Sequence, residues 1–391
     1  MGPAFVAGVA YVDPGNVAAN TSAGARYGTL LVWVLVAATA AAALVQHLSA
    51  RLGLVTGHSL PELVGARTRG PARVAYWLQA ELAAVATDLA EVVGGAVALA
   101  LLFHLPVVAG AAVTAVVSSL LLLVQQRRGP RPFERVVVGL LAVVAAGFLA
   151  GLAIAPPDAG AVAGGLLPRL AGSDSVVLAA AMLGATVMPH AVYVHSALAR
   201  DRHGHVPRSA LSALLRATRT DIVAAMALAG AVNVGLLLVA ATALRGASGV
   251  DTLAGVHAAL GAHLGGGVAL LFALGLLASG LASTAVGGYA GGVVMSGLLQ
   301  RQVPVTARRL VTVIPAVVLL GVGVDPTAAL VVSQVVLCFG IPFALVPLVR
   351  LGRSREVAGE HRTGGVVTAL AWTVVAVVVA LNVALLALTL R

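Results

Sequence analysis

Polar residues interrupt apolar segments of bilayer-spanning length at two motifs. The first motif is YVDPGN, which carries Asp13 and Asn16. Pro14 removes a backbone donor and clashes with the preceding turn, and Gly15 relaxes the chain further, so we expect the helix to break here. The Asp13 carboxylate, the Asn16 amide oxygen and a freed carbonyl near Ala10 would then face a cation. The motif therefore predicts a cation site inside the membrane.

The second motif is MPH, in which Pro189 separates Met188 from His190. This proline also interrupts an apolar segment, and discontinuous helices are typical of transporter binding sites. A thioether is a soft ligand. Together with carboxylate, amide and carbonyl oxygens it favours a first-row transition metal over Mg²⁺ or Ca²⁺. A methionine in an apolar helix ordinarily fills the core, but its position beside the break favours the interpretation of Met188 as a ligand.

Three acidic residues, Glu81, Asp88 and Glu91, lie within a single apolar segment. Their spacing of seven and three residues places them on one side of a helix. Each intramembrane charge costs at least ~2.5 to 3.5 kcal/mol, so such residues are usually functional. The row predicts a proton path or an ion path. The alternative is that these carboxylates form buried pairs with Arg or His that hold helices together.

His190 and His195 are the histidines of the segment that carries the MPH motif. Imidazole titrates near physiological pH, which predicts proton handling, and a satisfied buried histidine is the alternative. The pair lacks the i, i+4 spacing of the HExxH zinc motif, and no Ser or Cys nucleophile lies beside a base. We therefore predict that the protein is not an enzyme.

The elements that must position these residues are membrane-spanning helices. Of the 391 residues, 60% are hydrophobic and 10% are charged, whereas roughly a quarter of the residues in soluble domains are charged. The single cysteine, Cys338, excludes a disulfide framework and a cysteine metal cluster. Apolar runs of about 20 residues cross a bilayer. Hydropathy predicts eleven spans, near residues 3–24, 29–50, 74–103, 105–125, 135–155, 175–199, 221–244, 265–299, 309–323, 326–349 and 365–390.

The arginines predict the topology, because short cytoplasmic loops are enriched in basic residues. All of the 24 arginines lie at the loops after even-numbered spans, except for Arg26, Arg169, Arg245 and Arg391. This alternation predicts a cytoplasmic amino terminus and an extracytoplasmic carboxyl terminus in the inner membrane of a bacterium. The net charge of +10 is thus a topology signal and does not predict nucleic-acid binding. The predicted partner is the lipid bilayer, without an obligate protein partner.

The two predicted breaks lie five spans apart, which predicts a pair of inverted five-helix repeats with broken first helices. The repeats would cover about 1–155 and 175–350, and 365–390 would form an extra helix in a single domain of residues 1–391. The predicted fold is an all-α polytopic membrane protein with about eleven transmembrane helices, of which the first and the sixth are broken.

These segments resemble the Nramp (natural-resistance-associated macrophage protein) family of proton-coupled divalent-metal transporters. GPAFVAGVAYVDPGN is similar to the first helix of the family with its DPGN signature, and GATVMPHAVYVHS is similar to its sixth helix with the MPH signature. Supporting similarity includes LQAELAAVATDLAEVVG at 78–94 and SQVVLCFGIPFALVPL at 333–348. The resemblance covers nearly the whole chain and implies the inverted-repeat, LeuT-like symporter architecture.

The resemblance also implies roles for individual residues. The implied metal ligands are Asp13, Asn16, Met188, the carbonyl of Ala185 and, in some conformations, the carbonyl of Ala10 and Gln334. The implied proton network comprises Asp13, His190, Glu81, Asp88, Glu91, Arg308 and Arg309. Ala191 departs from the MPHN pattern of the family, whereas the retained methionine argues against its magnesium-carrying branch.

The sequence thus predicts a secondary active transporter that imports Mn²⁺, Fe²⁺ or related ions with protons by alternating access. Divalent metal ions and protons are its substrates, and no cofactor is predicted. Two alternatives remain: a metal uniporter without proton coupling, and an organic-substrate symporter of the same architecture.

Overall fold

The computed structural model describes residues 2–389 except His205, Ser248 and Gln302. All regular structure in this part of the chain is helical. The α-helices in chain order are α1 (Pro3–Val9), α2 (Pro14–Tyr27), α3 (Val32–Thr56), α4 (Leu60–Arg67), α5 (Gly70–Phe103), α6 (Val107–Arg128), α7 (Pro130–Ile154), α8 (Ala159–Gly165), α9 (Gly172–Thr186), α10 (Pro189–His203), α11 (Arg208–Ala243), α12 (Leu253–Leu264), α13 (Gly266–Val294), α14 (Val305–Gly321), α15 (Pro326–Arg353), α16 (Arg355–Ala358) and α17 (Gly365–Thr389). Shorter segments are the 3₁₀ turns Ala10–Val12 and Gly359–His361 and the π-helical turn Met295–Leu299.

Each predicted span coincides with a helix or with a broken pair of helices. Eight segments of the described residues are long and apolar enough to cross a membrane, and one of them is the broken pair α9 and α10. The first span is divided into α1 and α2, and the fourth and ninth correspond to α6 and α14. Hydropathy did not detect α4, α8 and α12, because helices of 8, 7 and 12 residues are shorter than a span.

Each main helix contact has a counterpart in which every span is replaced by the span five positions along the chain. The second to fifth spans are α3, α5, α6 and α7, and the seventh to tenth are α11, α13, α14 and α15. Helix α2 packs against α11 as α10 packs against α3, and α5 packs against α15 as α13 packs against α7. The contact between α5 and α13 is its own counterpart. Matched contacts of this kind are expected of two inverted five-helix repeats, so the predicted fold class is confirmed.

Both predicted helix breaks are present. The first span leaves α-helical geometry in the 3₁₀ turn after α1, and Asp13 is extended (ψ 167°) before α2 begins at Pro14. In the sixth span Met188 is extended (ψ 127°) before α10 begins at Pro189. Each proline occupies the first position of a helix, where the missing N–H has no intrahelical acceptor. The prolines therefore end one helix and start the next.

Two prolines inside α15 leave carbonyls that neighbouring helices satisfy. Pro342 cannot donate to the carbonyl four residues earlier, which accepts a hydrogen bond from the Asn382 amide of α17 at 3.1 Å. Pro347 likewise leaves the Phe343 carbonyl free, and the Tyr76 hydroxyl of α5 donates to it. Buried carbonyls require a partner, so these prolines attach α15 to two other helices.

A glycine lets the first break approach α5 closely. An ideal Cβ on Gly94 would lie 2.1 Å from the Cβ of Pro14, which is closer than atoms can pack. Any larger residue at this position would displace the break from the row of acids on the same helix.

Candidate metal site

Asp13 lies at the centre of the first break, fully buried, and its carboxylate is held by three donors. The backbone N–H of Asn16 and the Asn16 side-chain amide donate to Oδ1 at 2.9 and 2.7 Å. The amide of Gln334, from α15, donates to Oδ2 at 3.2 Å. The Asp13 carboxylate is thus shared between its own helix and the last span of the second repeat.

The two prolines of the breaks free one carbonyl each. Pro14 cannot donate to the Ala10 carbonyl, and Pro189 cannot donate to the Ala185 carbonyl. The Ala185 carbonyl accepts a hydrogen bond of 2.9 Å from the Asn16 amide, which joins the two broken helices directly. These carbonyls belong to the carboxyl ends of α1 and α9, where the helix dipole is negative, an arrangement that favours a cation.

Other freed carbonyls of the first break are already satisfied by side chains that sequence reasoning missed. The Asn233 amide of α11 donates to the Tyr11 carbonyl at 2.7 Å, and the Ser279 hydroxyl of α13 donates to the Val12 carbonyl at 2.6 Å. Both donors are polar residues in long apolar helices, which is the signal that could have identified them.

Met188 is fully buried at the start of α10, three residues after the Ala185 carbonyl. In the described part of the chain, no group of three or more His, Cys, Asp or Glu side chains is placed to hold a metal. A metal at the two breaks would therefore be bound by one carboxylate, Asp13, with neutral oxygens and a thioether. This donor set is softer than the all-oxygen shell preferred by Ca²⁺ and Mg²⁺.

Gly15 determines how closely Gln334 approaches the site. An ideal Cβ on Gly15 would lie 1.7 Å from the Gln334 side-chain nitrogen. Gln334 Oε1 is buried and has no hydrogen-bond partner within the described residues. Only glycine therefore admits the Gln334 amide beside Asp13, and one Gln334 oxygen remains available.

The row of acids on α5 meets the two arginines of α14. Arg308 lies 3.3 Å from Glu81, and Arg309 lies 2.6 Å from Asp88; all four side chains are buried or nearly so. Arg309 also donates to the hydroxyl of Ser118 on α6 at 2.7 Å. The first two acids thus form the buried ion pairs that the sequence left open as an alternative, and they connect α5 to α14.

Glu91 differs from the other two acids of the row. It is fully buried, and neither carboxyl oxygen has a hydrogen-bond partner within the described residues. An ideal Cβ on Gly287 of α13 would lie 2.9 Å from a Glu91 oxygen, so glycine makes room for this side chain. Glu91 is the acid of the row that no arginine neutralises.

His190 and His195 face different neighbours. His190 Nδ1 lies 3.2 Å from the hydroxyl of Thr87, which precedes Asp88 on α5. The structure therefore brings His190 to the row of acids. His195 Nδ1 donates to the Gln46 side-chain carbonyl at 2.6 Å, and the Gln46 amide donates to the Tyr11 hydroxyl.

A surface network joins the carboxyl end of α2 to the amino end of α9. Arg26 of α2 lies 3.1 Å from Asp174 of α9 and 3.2 Å from Asp251, which precedes α12. The Tyr27 hydroxyl also donates to Asp174 at 2.8 Å. None of these residues belonged to the predicted site, and the network links α2 to α9 and to the start of α12.

Comparison with known proteins decides the family. A family model described as natural resistance-associated macrophage protein-like matches residues 4–388. The chain belongs to the Nramp family. This Nramp chain is 56% identical over 390 residues to a protein of Mycobacterium tuberculosis named divalent metal cation transporter MntH, covering 100% of the chain and 91% of the relative.

Solved structures agree with the Nramp assignment. The chain superposes on an Eremococcus coleocola manganese transporter with a TM-score of 0.88 at 31% identity, covering 97% of this chain and 84% of the other. Mhp1, a nucleobase-cation-symport-1 family transporter, shares the fold with a TM-score of 0.53 at 15% identity, over 99% of this chain and 87% of Mhp1. The resemblance seen in the sequence is confirmed, and Nramp relatives are named as transporters, not enzymes.

Proposed function

We propose that the chain imports Mn²⁺, Fe²⁺ or a related divalent transition-metal ion together with protons, by alternating access. The observation that carries this proposal is the junction of the two breaks, where Asn16 binds both Asp13 and the freed Ala185 carbonyl beside Met188. The names of the M. tuberculosis and E. coleocola relatives, a divalent metal cation transporter and a manganese transporter, support the same substrate class.

Metal binding at this junction displaces the hydrogen bonds now made to Asp13. The carboxylate must be ionised to bind the metal, so any proton that it carries leaves on binding. The Asn16 and Gln334 side chains already touch Asp13 and each can turn an amide oxygen toward the ion. The carbonyls of Ala10 and Ala185 complete a neutral shell, and Met188 adds the soft ligand.

The released proton travels along the α5 face. His190 lies against Thr87, one residue from Asp88, and Glu91 lies one helical turn beyond. Since Glu81 and Asp88 are paired with Arg308 and Arg309, Glu91 is the acid best placed to hold an additional proton. Metal and proton transport are coupled because metal binding expels the proton from Asp13. The proton then leaves along α5 in the same inward-opening step that releases the metal.

The membrane potential sets the direction of transport. An inside-negative potential draws a divalent ion inward with about 4.6 kcal/mol per 100 mV, twice the value for a single charge. The amino terminus lies in the cytoplasm and the carboxyl terminus outside under this proposal, as the arginine distribution predicts.

Metal uptake into proteoliposomes that contain a pH dye tests the proposal, with Mn²⁺, Fe²⁺, Mg²⁺ and Ca²⁺ compared. We expect Mn²⁺ and Fe²⁺ uptake with acidification of the interior. Metal flux without acidification would establish the uniporter instead, and competition by amino acids would establish an organic-substrate symporter.

Asp13→Asn provides the matched test of the site. Loss of an outer-shell partner costs 10–100-fold at metal sites, so removing the ligand itself should reduce Mn²⁺ uptake by more than about 100-fold. Asp158→Asn is the control, because Asp158 caps α8 at the surface as Asp13 caps α2. Uptake by Asp13→Asn at the parental rate would refute the ligand assignment.

A further inference from the structure

A groove of about 460 Å³ lies between α4, α5 and α15, outside the metal site. Its walls are mostly apolar and include Val64, Tyr76, Phe343 and Val346. The volume is that of a typical ligand pocket. Its residues come from the carboxyl end of α4, the amino-terminal part of α5 and the carboxyl-terminal part of α15, and α5 and α15 are both long and apolar enough to cross a membrane.

The groove has a fixed wall. The Tyr76 hydroxyl donates to the Phe343 carbonyl, which Pro347 leaves without its intrahelical donor. The two rings meet edge to face with centroids 6.4 Å apart. Phe343 still exposes 47% of its surface, so this wall offers an aromatic face to whatever occupies the groove.

Two arginines, Arg67 and Arg350, line the same groove. Both are exposed, and neither takes part in an ion pair with another described residue. Arg67 donates one N–H to the Leu63 carbonyl of its own helix at 3.2 Å, which leaves most of its donors unused. By contrast, Arg73 nearby is committed to the carbonyls of Thr68 and Gly65.

The position of these arginines matches an interface between lipid tails and headgroups. Arg67 ends α4, which follows the second span, and Arg350 lies in the last turn of α15, the tenth span. Both belong to the arginine-rich side of the protein. Apolar walls beside two free guanidinium groups are complementary to acyl chains beside a phosphate, because guanidinium binds phosphate through paired donors.

We propose that this groove is a binding site for an anionic phospholipid, whose phosphate contacts Arg67 and Arg350 and whose acyl chain lies along Phe343 and Val346. The charge of the site favours an anionic over a zwitterionic headgroup, and the apolar walls favour a lipid over free phosphate. The proposal does not depend on which ion the protein transports.

Native mass spectrometry of the full chain in detergent, with phosphatidylglycerol or phosphatidylcholine added, tests the site. The Arg67→Gln/Arg350→Gln variant should bind phosphatidylglycerol roughly 30-fold more weakly, at about 1 kcal/mol for each basic residue. The control is Arg69→Gln/Arg355→Gln, which makes the same charge change at exposed arginines of the same side outside the groove. The control should bind like the parent.

Val346→Trp tests the acyl part separately, because it fills the groove and keeps both arginines. We expect this variant to lose phosphatidylglycerol binding while eluting as the parent does on size exclusion. Equal loss in the arginine control, equal binding of phosphatidylcholine by the parent, or full binding by Val346→Trp would each overturn the proposal.

Discussion

At the scale of single residues, the candidate site concentrates one negative charge among neutral donors. Asp13 is buried with three hydrogen bonds from Asn16 and Gln334 and no basic partner within the described residues. A buried carboxylate without a counter-ion is costly, and a divalent ion supplies that counter-ion. The neutral ligands then decide which ion is preferred, and Met188 is the only soft donor that the breaks provide.

The thioether of Met188 should control discrimination among metals. Met188→Leu keeps the side-chain volume, so the fold should lose less than about 1.5 kcal/mol of stability. The soft ligand is lost, and we expect the preference for Mn²⁺ over Ca²⁺ to fall by about tenfold in competition uptake. Met182→Leu is the control, because Met182 is also fully buried on the same broken span. Unchanged discrimination in Met188→Leu would disprove the soft-ligand role.

At the scale of elements, prolines and glycines define the site as much as its ligands do. Proline breaks free carbonyls, and glycines at the helix crossings let side chains from α5 and α15 reach those breaks. The half-helices α1 and α9 point their carboxyl ends toward the ion position, while Asp13 caps the amino end of α2. The Asp13 carboxylate, the helix dipoles of α1 and α9 and the freed backbone carbonyls thus lie together, because the two helix breaks are adjacent.

Gly15→Ala should disrupt this convergence. The added methyl group would lie 1.7 Å from the Gln334 nitrogen, so Gln334 must leave Asp13 or α15 must shift. We expect Mn²⁺ uptake to fall at least tenfold. Adding Gln334→Ala should restore part of the binding of Mn²⁺, measured by calorimetry, because it removes the clash.

Gly139→Ala serves as the matched control for this change. An added Cβ at Gly139 on α7 meets open space, so uptake should match the parent. If Gly15→Ala transports like Gly139→Ala, the close approach of α15 has no role in the site.

At the scale of the whole molecule, two networks of ion pairs connect the two repeats. One network is the set of buried ion pairs between α5, which belongs to the first repeat, and α14, which belongs to the second. The surface network around Arg26 connects the carboxyl end of α2 with the amino end of α9, which face outward in the proposed orientation. Buried pairs are expensive to break, whereas surface pairs contribute at most about 1 kcal/mol each. If the protein works by the proposed alternating access, opening toward the outside should therefore occur at the surface network.

Arg26→Gln should loosen this outer closure. Losing two exposed ion pairs should speed hydrogen exchange at the outer ends of α2 and α9 about three- to fivefold, and high salt should reduce the difference. Arg169→Gln is the control, because Arg169 lies on the same side and, among the described residues, its side chain donates to the Gly164 carbonyl of its own segment and forms no ion pair. Equal exchange rates in the two variants would show that the network does not close the outer path.

The sequence by itself determined the features that depend on local chemistry. Proline and glycine within apolar segments indicated both breaks, hydropathy located the helices of all eleven predicted spans, and the motifs around Asp13 and Met188 predicted the two halves of the candidate site. These signals are readable because each depends on a residue and its immediate neighbours. The short helices α4, α8 and α12 were not predicted, because each is shorter than the hydropathy window.

Only the tertiary structure decided which buried polar groups meet. Glu81 and Asp88 are neutralised by arginines more than 200 positions away in the chain, whereas Glu91 is not, and no local pattern distinguishes the three acids. Asn233 and Ser279 satisfy the Tyr11 and Val12 carbonyls for the same reason. A buried polar group must find its partner in three dimensions, so its role depends on helix packing that the sequence specifies only through the complete fold.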